Sequence, residues 1–363
     1  MDNNFKVDTV NTDSKCWVVR SGVRYRYVSK FYEDGFIATG HLDDFAIDEE
    51  VLSKEINYEN IDESIDGFNL INSRNVKTQI ENFIIDMQIG DVVFTLDANY
   101  VIPGVIKSGV YYSLDDISDQ DQFRVRRAVA WGDPIARRTI PLTIQRSFNA
   151  YQTIFSLGDN SKEIFHWLMS FFISGDDYYS SLRVDQPGEL KHHTLKQLSE
   201  LIDRIQVLSI LIAEKYAENN NLQEEGYRVS YPELQDAMWR YSEEGLLDLT
   251  SQQILMSPGD VWLKFSNGSK VAGAIFLYLI LTTSSPGKTI QFTEEVYGQE
   301  LGKVMAIVDD NRDVLNHNLN IENIKRQLIL NAAKQNNQLV ENDPTKNTGD
   351  GFPEDGEPRH VGG

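Results

Sequence analysis

The chain has 363 residues and a formal net charge of −21, because 55 acidic residues outnumber 34 basic ones. A length above about 250 residues favours two domains over one, and 41% hydrophobic residues exclude a wholly disordered chain. The acidic balance repels polyanions at long range, so any nucleic-acid site has to be a local basic patch.

The N-terminal residues 1–14 are polar, lack the apolar core of a signal peptide and predict a flexible lead. The single cysteine, Cys16, excludes an intrachain disulfide and indicates a reducing compartment. The strongest apolar run, residues 271–283, is too short to span a bilayer and predicts a buried core helix. We therefore expect a soluble, cytoplasmic protein.

Residues 15–157 predict a small β-barrel with one inserted helix. The acidic segment 44–72 predicts a loop with helix, and the apolar spacing of residues 75–87 predicts the inserted helix. Several short strands around one helix favour a barrel over a parallel sheet. No glycine-rich loop opens a helix, which excludes a Rossmann or P-loop site. Strand patterns occur at residues 16–22, 23–28, 35–40, 90–97, 101–112, 123–133 and 151–159.

Helical patterns prevail after residue 159. Residues 158–190 predict a helix that runs to Ile173, followed by a linker, and residues 191–340 predict a mainly helical domain with a strand pair near residues 254–269. The long periodic helix at 193–219 is typical of a core helix or of a dimer helix. Residues 341–363 predict a disordered tail. The fold class is therefore α+β, with a small β-barrel followed by a mainly α-helical domain.

Basic and aromatic residues concentrate in the barrel region. Arginine forms bidentate contacts with phosphates and base edges, and interleaved aromatic rings stack on bases. An alternative interpretation is a solvated strand face whose arginines pair with the acidic residues of segment 43–66. The candidate phosphate ligands are Arg20, Arg24, Arg124, Arg126, Arg127, Arg137 and Arg138.

Five short pieces of residues 15–157 resemble a known domain: WVVRSG at 17–22, GFIATG at 35–40, MQIGDVV at 87–93, PGVI at 103–106 and RVRRAVAW at 124–131. Together they are similar to the N-terminal PUA/EVE-like domain of restriction-endonuclease-like proteins of the Mrr type, which act in modification-dependent restriction. The resemblance implies a barrel that holds a single or flipped base in an aromatic cage.

The resemblance also implies which rings form that cage. Members of this class often carry a tryptophan where this chain has His41, which would stack on a base or be an ordinary surface histidine. The cage candidates are Trp17, Tyr25, Tyr27, His41 and Trp131.

We expect a nucleic-acid recognition subunit of a bacterial restriction or anti-phage defence system. It would bind single-stranded or modified DNA or RNA, form a homo-oligomer through the helical domain and act with a separate effector protein. We assign no catalytic residue, cofactor or metal. One alternative is a metal-dependent nuclease with a divergent site at Asp260, Glu294 and Glu295. Another is a sensor of a nucleotide signal or a partner without nucleic-acid binding.

Overall fold

The computed structural model describes residues 4–43, 73–158, 160–219, 226–255, 258–292, 298–333 and 335–336. The described residues form two compact units. Among the described residues, the N-terminal unit contains Asp13 to Ile164, and the C-terminal unit contains residues 165–336 together with residues 4–12. Each unit has its own hydrophobic core. Every described helix is too short or too polar to span a lipid bilayer.

Strands and helices alternate along the described ranges, so the fold is mixed α/β. The helices are α1 (Val28–Glu33), α2 (Ser73–Glu81), α3 (Leu142–Gln145), α4 (Ser161–Leu168), α5 (His192–Glu218), α6 (Tyr231–Glu243), α7 (Lys270–Ser284), α8 (Gly298–Asn311) and α9 (Ile321–Leu328). The strands are β1 (Asn4–Val7), β2 (Cys16–Val19), β3 (Phe36–Ala38), β4 (Val92–Leu96), β5 (Tyr100–Ile106), β6 (Tyr111–Tyr112), β7 (Val125–Trp131), β8 (Ile135–Ala136), β9 (Ile154–Ser156), β10 (Phe171–Ser174), β11 (Asp177–Val184), β12 (Leu249–Ile254), β13 (Gly259–Ser266), β14 (Thr289–Phe292) and β15 (Leu330–Ala332).

A curled sheet forms a half-barrel in the N-terminal unit. Its strand order is β3-β7-β5-β4-β2-β9, with β6 beside β7 and β8 beside β5. The neighbours β2 and β4 are parallel, and the other pairs are antiparallel. Helix α2 continues into a π-helical turn (Asn82–Asp86) that places Phe83 in the core. These elements confirm the predicted inserted helix and a mixed fold that begins with a curled sheet.

The central strands are apolar because both of their faces are covered. All five residues of β4 are buried, and so are the last six residues of β5. Gly104 in β5 permits a close approach, since a Cβ atom there would lie 2.6 Å from both the Trp131 ring and the Val129 side chain. A glycine in a strand at such a point marks a close packing contact.

The C-terminal unit combines a sheet with packed helices. The sheet order is β10-β11-β13-β12, and β15 pairs with β11. Helices α5 and α7 pack against each other, and α7 also packs on β11. Fifteen of the 27 residues of α5 are buried, so this helix is a core helix and offers no broad free apolar face for a dimer.

Two predictions near the N-terminus are wrong. Residues 4–7 are part of the folded unit, because Phe5 and Val7 are buried and β1 pairs in parallel with β14. The segment 23–28 is a 3₁₀ turn (Val23–Tyr25) followed by the start of α1. Arg24 and Tyr25 have φ values of 54° and 61°, and such left-handed backbone breaks a strand.

The sheet of the C-terminal unit is larger than the sequence predicts. Helix α4 ends at Leu168, so the predicted end of the helix at Ile173 is wrong: β10 occupies that end, and β11 lies in the predicted linker. The two strands are joined at a tight turn where Gly175 has a φ of 58°. The hairpin is buried along nearly its whole length and its apolar residues occur in short runs, which periodicity does not separate from a buried helix. The predicted strand pair and the buried helix α7 are confirmed. The acidic segment 44–72 and the predicted tail 341–363 lie outside the described residues.

Candidate functional site

The two tryptophans of the predicted cage lie in packed positions. Trp17 is 1% exposed, and its indole Nε1 donates to Asp91 Oδ2 at 2.8 Å. Trp131 lies across Gly104, and its Nε1 donates to the Phe31 carbonyl at 2.6 Å. Both indole N–H groups are satisfied by the protein. Trp17 is a core residue and not a cage residue, because no face of its ring is open to a ligand.

Tyr27 is also held by the fold. It is 7% exposed, and its hydroxyl hydrogen-bonds Ser118 Oγ at 3.0 Å and donates to Asp121. Its ring meets the Phe123 ring edge to face at 5.4 Å. The five predicted rings therefore do not form one cage. Tyr25 and His41 are the two that lie at partly exposed turns.

Three of the predicted phosphate ligands are bound within the unit. Arg127 is 3% exposed and donates to the carbonyls of Phe83, Ile84 and Ser108. It is a core residue and not a phosphate ligand. Half-buried Arg124 pairs with Asp116 at 2.6 Å and with the Tyr112 hydroxyl. The guanidinium of Arg126 donates to the carbonyls of Phe123 and Asp115 and lies 4.3 Å from the Phe36 ring centroid.

The other arginines gather beside the turn that follows β2. Arg24 and Arg138 are exposed, and neither has a hydrogen-bond or ion-pair partner among the described residues. Arg137 Nη1 donates to the Tyr25 hydroxyl at 3.3 Å and to the Asp97 carbonyl at 3.2 Å. This contact joins the Val23–Tyr25 turn to the Arg137–Thr139 turn. We call Arg24, Tyr25, Arg137 and Arg138 the basic rim.

The backbone of the basic rim is strained. Consecutive non-glycine residues Arg24 and Tyr25 both adopt left-handed φ values, and each such residue costs on the order of 1 kcal/mol. The preceding Gly22 has a φ of 80°, and a Cβ atom there would lie 2.9 Å from the Tyr27 ring. The turn is therefore fixed by packing beneath it, while Val23 and Arg24 project outward with Val23 79% exposed.

The end of β2 lies close to the beginning of β9 and to the inserted helix. Gln79 of α2 is 5% exposed, and its Oε1 accepts from the backbone N–H groups of Thr153 and Ile154 at 2.8 and 2.9 Å. Its side chain also interacts with the imidazole of His41, which follows β3. Gln79 thus bridges the two edge strands of the curled sheet. We call the place where Gln79 meets Thr153, Ile154 and His41 the seam.

Three buried polar atoms at the seam have no partner among the described residues: Arg20 Nε, Ser21 Oγ and His41 Nε2. Arg20 is positioned by its backbone N–H, which donates to the Thr153 carbonyl, and by its Nη2, which donates to the Ala150 carbonyl. Ser21 is fully buried. We call Arg20, Ser21, His41 and Gln79 the seam cluster.

The charge state of the seam cluster follows from its burial. Burial lowers the pKa of His41, and the Gln79 side chain opposes that change. The imidazole is therefore neutral at neutral pH, with one nitrogen that accepts and one that donates. Together with the Arg20 Nε–H donor and the Ser21 hydroxyl, it provides donor and acceptor atoms that have no partner among the described residues.

Sequence reasoning missed Ser21 and Gln79. Gln79 directly precedes Ile80 in the apolar pattern of α2, and a buried glutamine beside that pattern was the available signal. For Ser21 the signal was weaker, a small polar residue two positions after a fully buried strand.

The residues of the alternative nuclease site are otherwise engaged or outside the described ranges. Arg183 Nη1 contacts both carboxylate oxygens of Asp260 at 3.0 and 3.1 Å. Glu294 and Glu295 lie outside the described residues. Within the described ranges, no group of three histidine, cysteine, aspartate or glutamate side chains is placed to hold a metal ion.

Residues 19–157 match a family model described as a domain of unknown function, DUF8426. No curated protein and no solved structure matches the chain. The matched range runs from the last residue of β2 to just beyond β9, so it covers most of the curled sheet and contains the whole seam cluster and the whole basic rim.

Proposed function

We propose that the N-terminal unit is a PUA/EVE-like reader that recognises nucleic acid through a single exposed base. The base would be one in a single strand, or a modified base turned out of a duplex. In this proposal the chain is the recognition subunit of a bacterial restriction or anti-phage defence system, and a separate effector protein acts on the nucleic acid. The fold and system parts of the proposal rest on the resemblance of residues 15–157.

The three unpartnered atoms of the seam cluster carry this proposal. A buried donor or acceptor without a partner costs about 1–3 kcal/mol, and most buried polar atoms in native proteins are paired. Arg20 Nε, Ser21 Oγ and His41 Nε2 are three such atoms, on segments that are linked through Thr153 and Gln79. A base edge, which presents donors and acceptors in one plane, would satisfy them and recover that cost.

The basic rim supports the same function. Arg24 lies three residues after Ser21, so a nucleotide whose base reached the seam would bring its phosphate within reach of the Arg24 guanidinium. Arg138 provides a second cation that has no partner within the described ranges. Strain at Arg24 and Tyr25 fits a site at which the backbone conformation serves binding. Because the whole chain is acidic, only a focused site of this kind can attract a polyanion.

Fluorescence polarisation with labelled oligonucleotides tests the proposal. The panel contains single-stranded and duplex DNA and RNA, each with and without a modified base, measured from low to moderate salt. We expect binding that weakens with salt and favours an unpaired or modified base. The double variant Arg24→Ala/Arg138→Ala should weaken binding and reduce the salt slope by about 0.7 for each lost phosphate contact on a single strand.

Two further variants separate the roles. His41→Phe should reduce the preference for one base while it leaves the salt slope unchanged, because base contacts specify and phosphate contacts position. Arg326→Ala removes an exposed arginine of α9 in the C-terminal unit and should change neither quantity. Absence of binding to every oligonucleotide at low salt would reject the reader function.

A further inference from the structure

Among the described residues, strand β12 lies at an edge of the C-terminal sheet and pairs with one strand, and its first residue, Leu249, packs against the core. It pairs with β13 along its whole length, from Leu249 opposite Phe265 to Ile254 opposite Asp260. The four central residues, Thr250 to Gln253, are all exposed. Successive strand side chains point to opposite faces, so within the described part of the chain both faces of these four residues are open to solvent.

The direction of the backbone groups along β12 follows from one hydrogen bond. The Ser266 N–H donates to the Asp248 carbonyl, and these residues are opposite each other in the register. In an antiparallel ladder, hydrogen-bonded pairs alternate with non-bonded pairs. Thr250, Gln252 and Ile254 therefore direct their N–H and C=O groups toward β13. Ser251 and Gln253 direct theirs toward the free edge.

We propose that this edge pairs with β12 of a second copy of the chain, antiparallel and about a two-fold axis at Gln252. In this register, Ser251 of each copy forms a hydrogen-bonded pair with Gln253 of the other. Thr250 comes opposite Ile254. Gln252 comes opposite its own counterpart in a non-bonded pair, where side chains are closest.

A second copy fits this edge for two reasons. Free edges are usually blocked by lysine, proline or a bulge, whereas LTSQQI contains no charge and no proline in a chain of net charge −21. The strand would therefore bring two acidic copies together at an uncharged point. A two-fold interface must also be self-complementary, and the pairs Ser–Gln, Thr–Ile and Gln–Gln contain no like charges.

The interface is small, so the dimer should be weak. A six-residue strand pair lies at the lower end of interface sizes, where association is transient. Sedimentation velocity of the full chain should show a dimer at about 100 µM that dissociates on dilution to about 1 µM, as expected for a micromolar Kd. Ser251→Pro removes an N–H that faces the free edge and leaves the β13 ladder intact, so this variant should stay monomeric with an unchanged circular dichroism spectrum.

A charge exchange tests the two-fold axis. Gln252→Lys and Gln252→Glu each place like charges opposite each other and should be monomeric, whereas their equimolar mixture should dimerise at least as well as the unmodified chain. Thr250→Lys lies opposite Ile254 and should lower dimerisation much less than Gln252→Lys. A monomer at about 100 µM for the unmodified chain, a dimer with Ser251→Pro, or a monomeric Lys and Glu mixture would each overturn the proposal.

Discussion

In the N-terminal unit, a buried arginine side chain is hydrogen-bonded at each guanidinium nitrogen in the interior but, within the described ranges, keeps an unpaired donor at the seam. In the interior, Arg127 Nε donates to the Phe83 carbonyl at 2.7 Å and Arg127 Nη2 donates to the Ile84 carbonyl at 2.9 Å. At the seam, Arg20 Nε is equally hidden from solvent and has no partner. The first arginine is used by the fold itself, whereas the second has a buried donor without a partner among the described residues.

The C-terminal unit follows the pattern of the interior. Arg204 is 3% exposed, and its Nη1 donates to the carbonyls of Leu315 and His317 while its Nη2 pairs with Glu200. Asn311 accepts from the Val229 N–H and donates to two carbonyls. The comparison teaches that the hydrogen-bond partners of an arginine, and not its place in a basic segment, decide whether it is a candidate for binding a ligand.

The largest expected effect is at Arg127, where Arg127→Met tests the structural side of this comparison. Methionine keeps the apolar stem but leaves the carbonyls of Phe83, Ile84 and Ser108 without their donor. We expect the free energy of unfolding of the full chain to fall by about 3 kcal/mol, measured by urea denaturation.

Arg20→Met is the matched control for that experiment. It removes a guanidinium whose Nε has no partner and whose Nη2 reaches one carbonyl, so the loss should stay below about 1 kcal/mol. Equal losses for the two variants would contradict the distinction between an interior arginine and a seam arginine.

The second-largest expected effect concerns His166, a buried polar residue whose side chain is hydrogen-bonded within the C-terminal unit. Its Nδ1 hydrogen-bonds Ser181 Oγ at 2.7 Å, and its ring stacks on Trp262. Burial lowers the pKa of His166 to about 3 from 6.5. Below pH 6.5 the unfolded chain therefore binds a proton at His166 that the folded chain binds only near pH 3. As a result, the free energy of unfolding keeps its full value above pH 6.5 and decreases as the pH falls toward 3.

Unfolding in urea at pH 7.5 and pH 5.0 measures that loss. At pH 5.0, protonation of His166 in the unfolded chain lowers the free energy of unfolding by about 2 kcal/mol. His166→Gln keeps a hydrogen-bonding side chain without the titration, so the stability difference between the two pH values should shrink by about that amount. An unchanged difference would show that His166 is protonated in the folded chain or titrates with an ordinary pKa.

Local pattern was sufficient for the elements whose burial is uniform. The periodic spacing at 193–219 gave α5, the uncharged run at 271–283 gave α7, and the alternation around β13 gave a strand. Local pattern was not sufficient at Arg24 and Tyr25, whose positive φ values depend on the packing of Tyr27 beneath Gly22. Tertiary contacts decide such backbone, and sequence neighbours do not report them.

Residue types alone identified part of the candidate site. The segments around Arg20, Arg24 and His41 were identified by their residue types, and these segments do lie at the seam and the rim. The assignment of Trp17 and Arg127 failed because composition cannot distinguish a satisfied side chain from an available one. Gln79 was missed because its role depends on β9, which is 74 residues away in sequence.

The smallest expected effect has the opposite sign. Ser21 is fully buried, and its hydroxyl has no partner. Removing an unsatisfied buried hydroxyl relieves its desolvation cost, so Ser21→Ala should raise the free energy of unfolding by up to about 1 kcal/mol. If the hydroxyl is kept for a ligand, the same variant should weaken oligonucleotide binding, which is the trade-off between stability and function expected at a binding site.

Urea denaturation and fluorescence polarisation on the same Ser21→Ala preparation decide the point. Thr139→Ala, which removes an exposed hydroxyl that donates to the Ala136 carbonyl at 2.8 Å, is the control and should not raise stability. A destabilised Ser21→Ala variant would mean that the hydroxyl has a partner in the folded chain. The seam would then resemble the interior, and the argument for a ligand there would lose one of its three atoms.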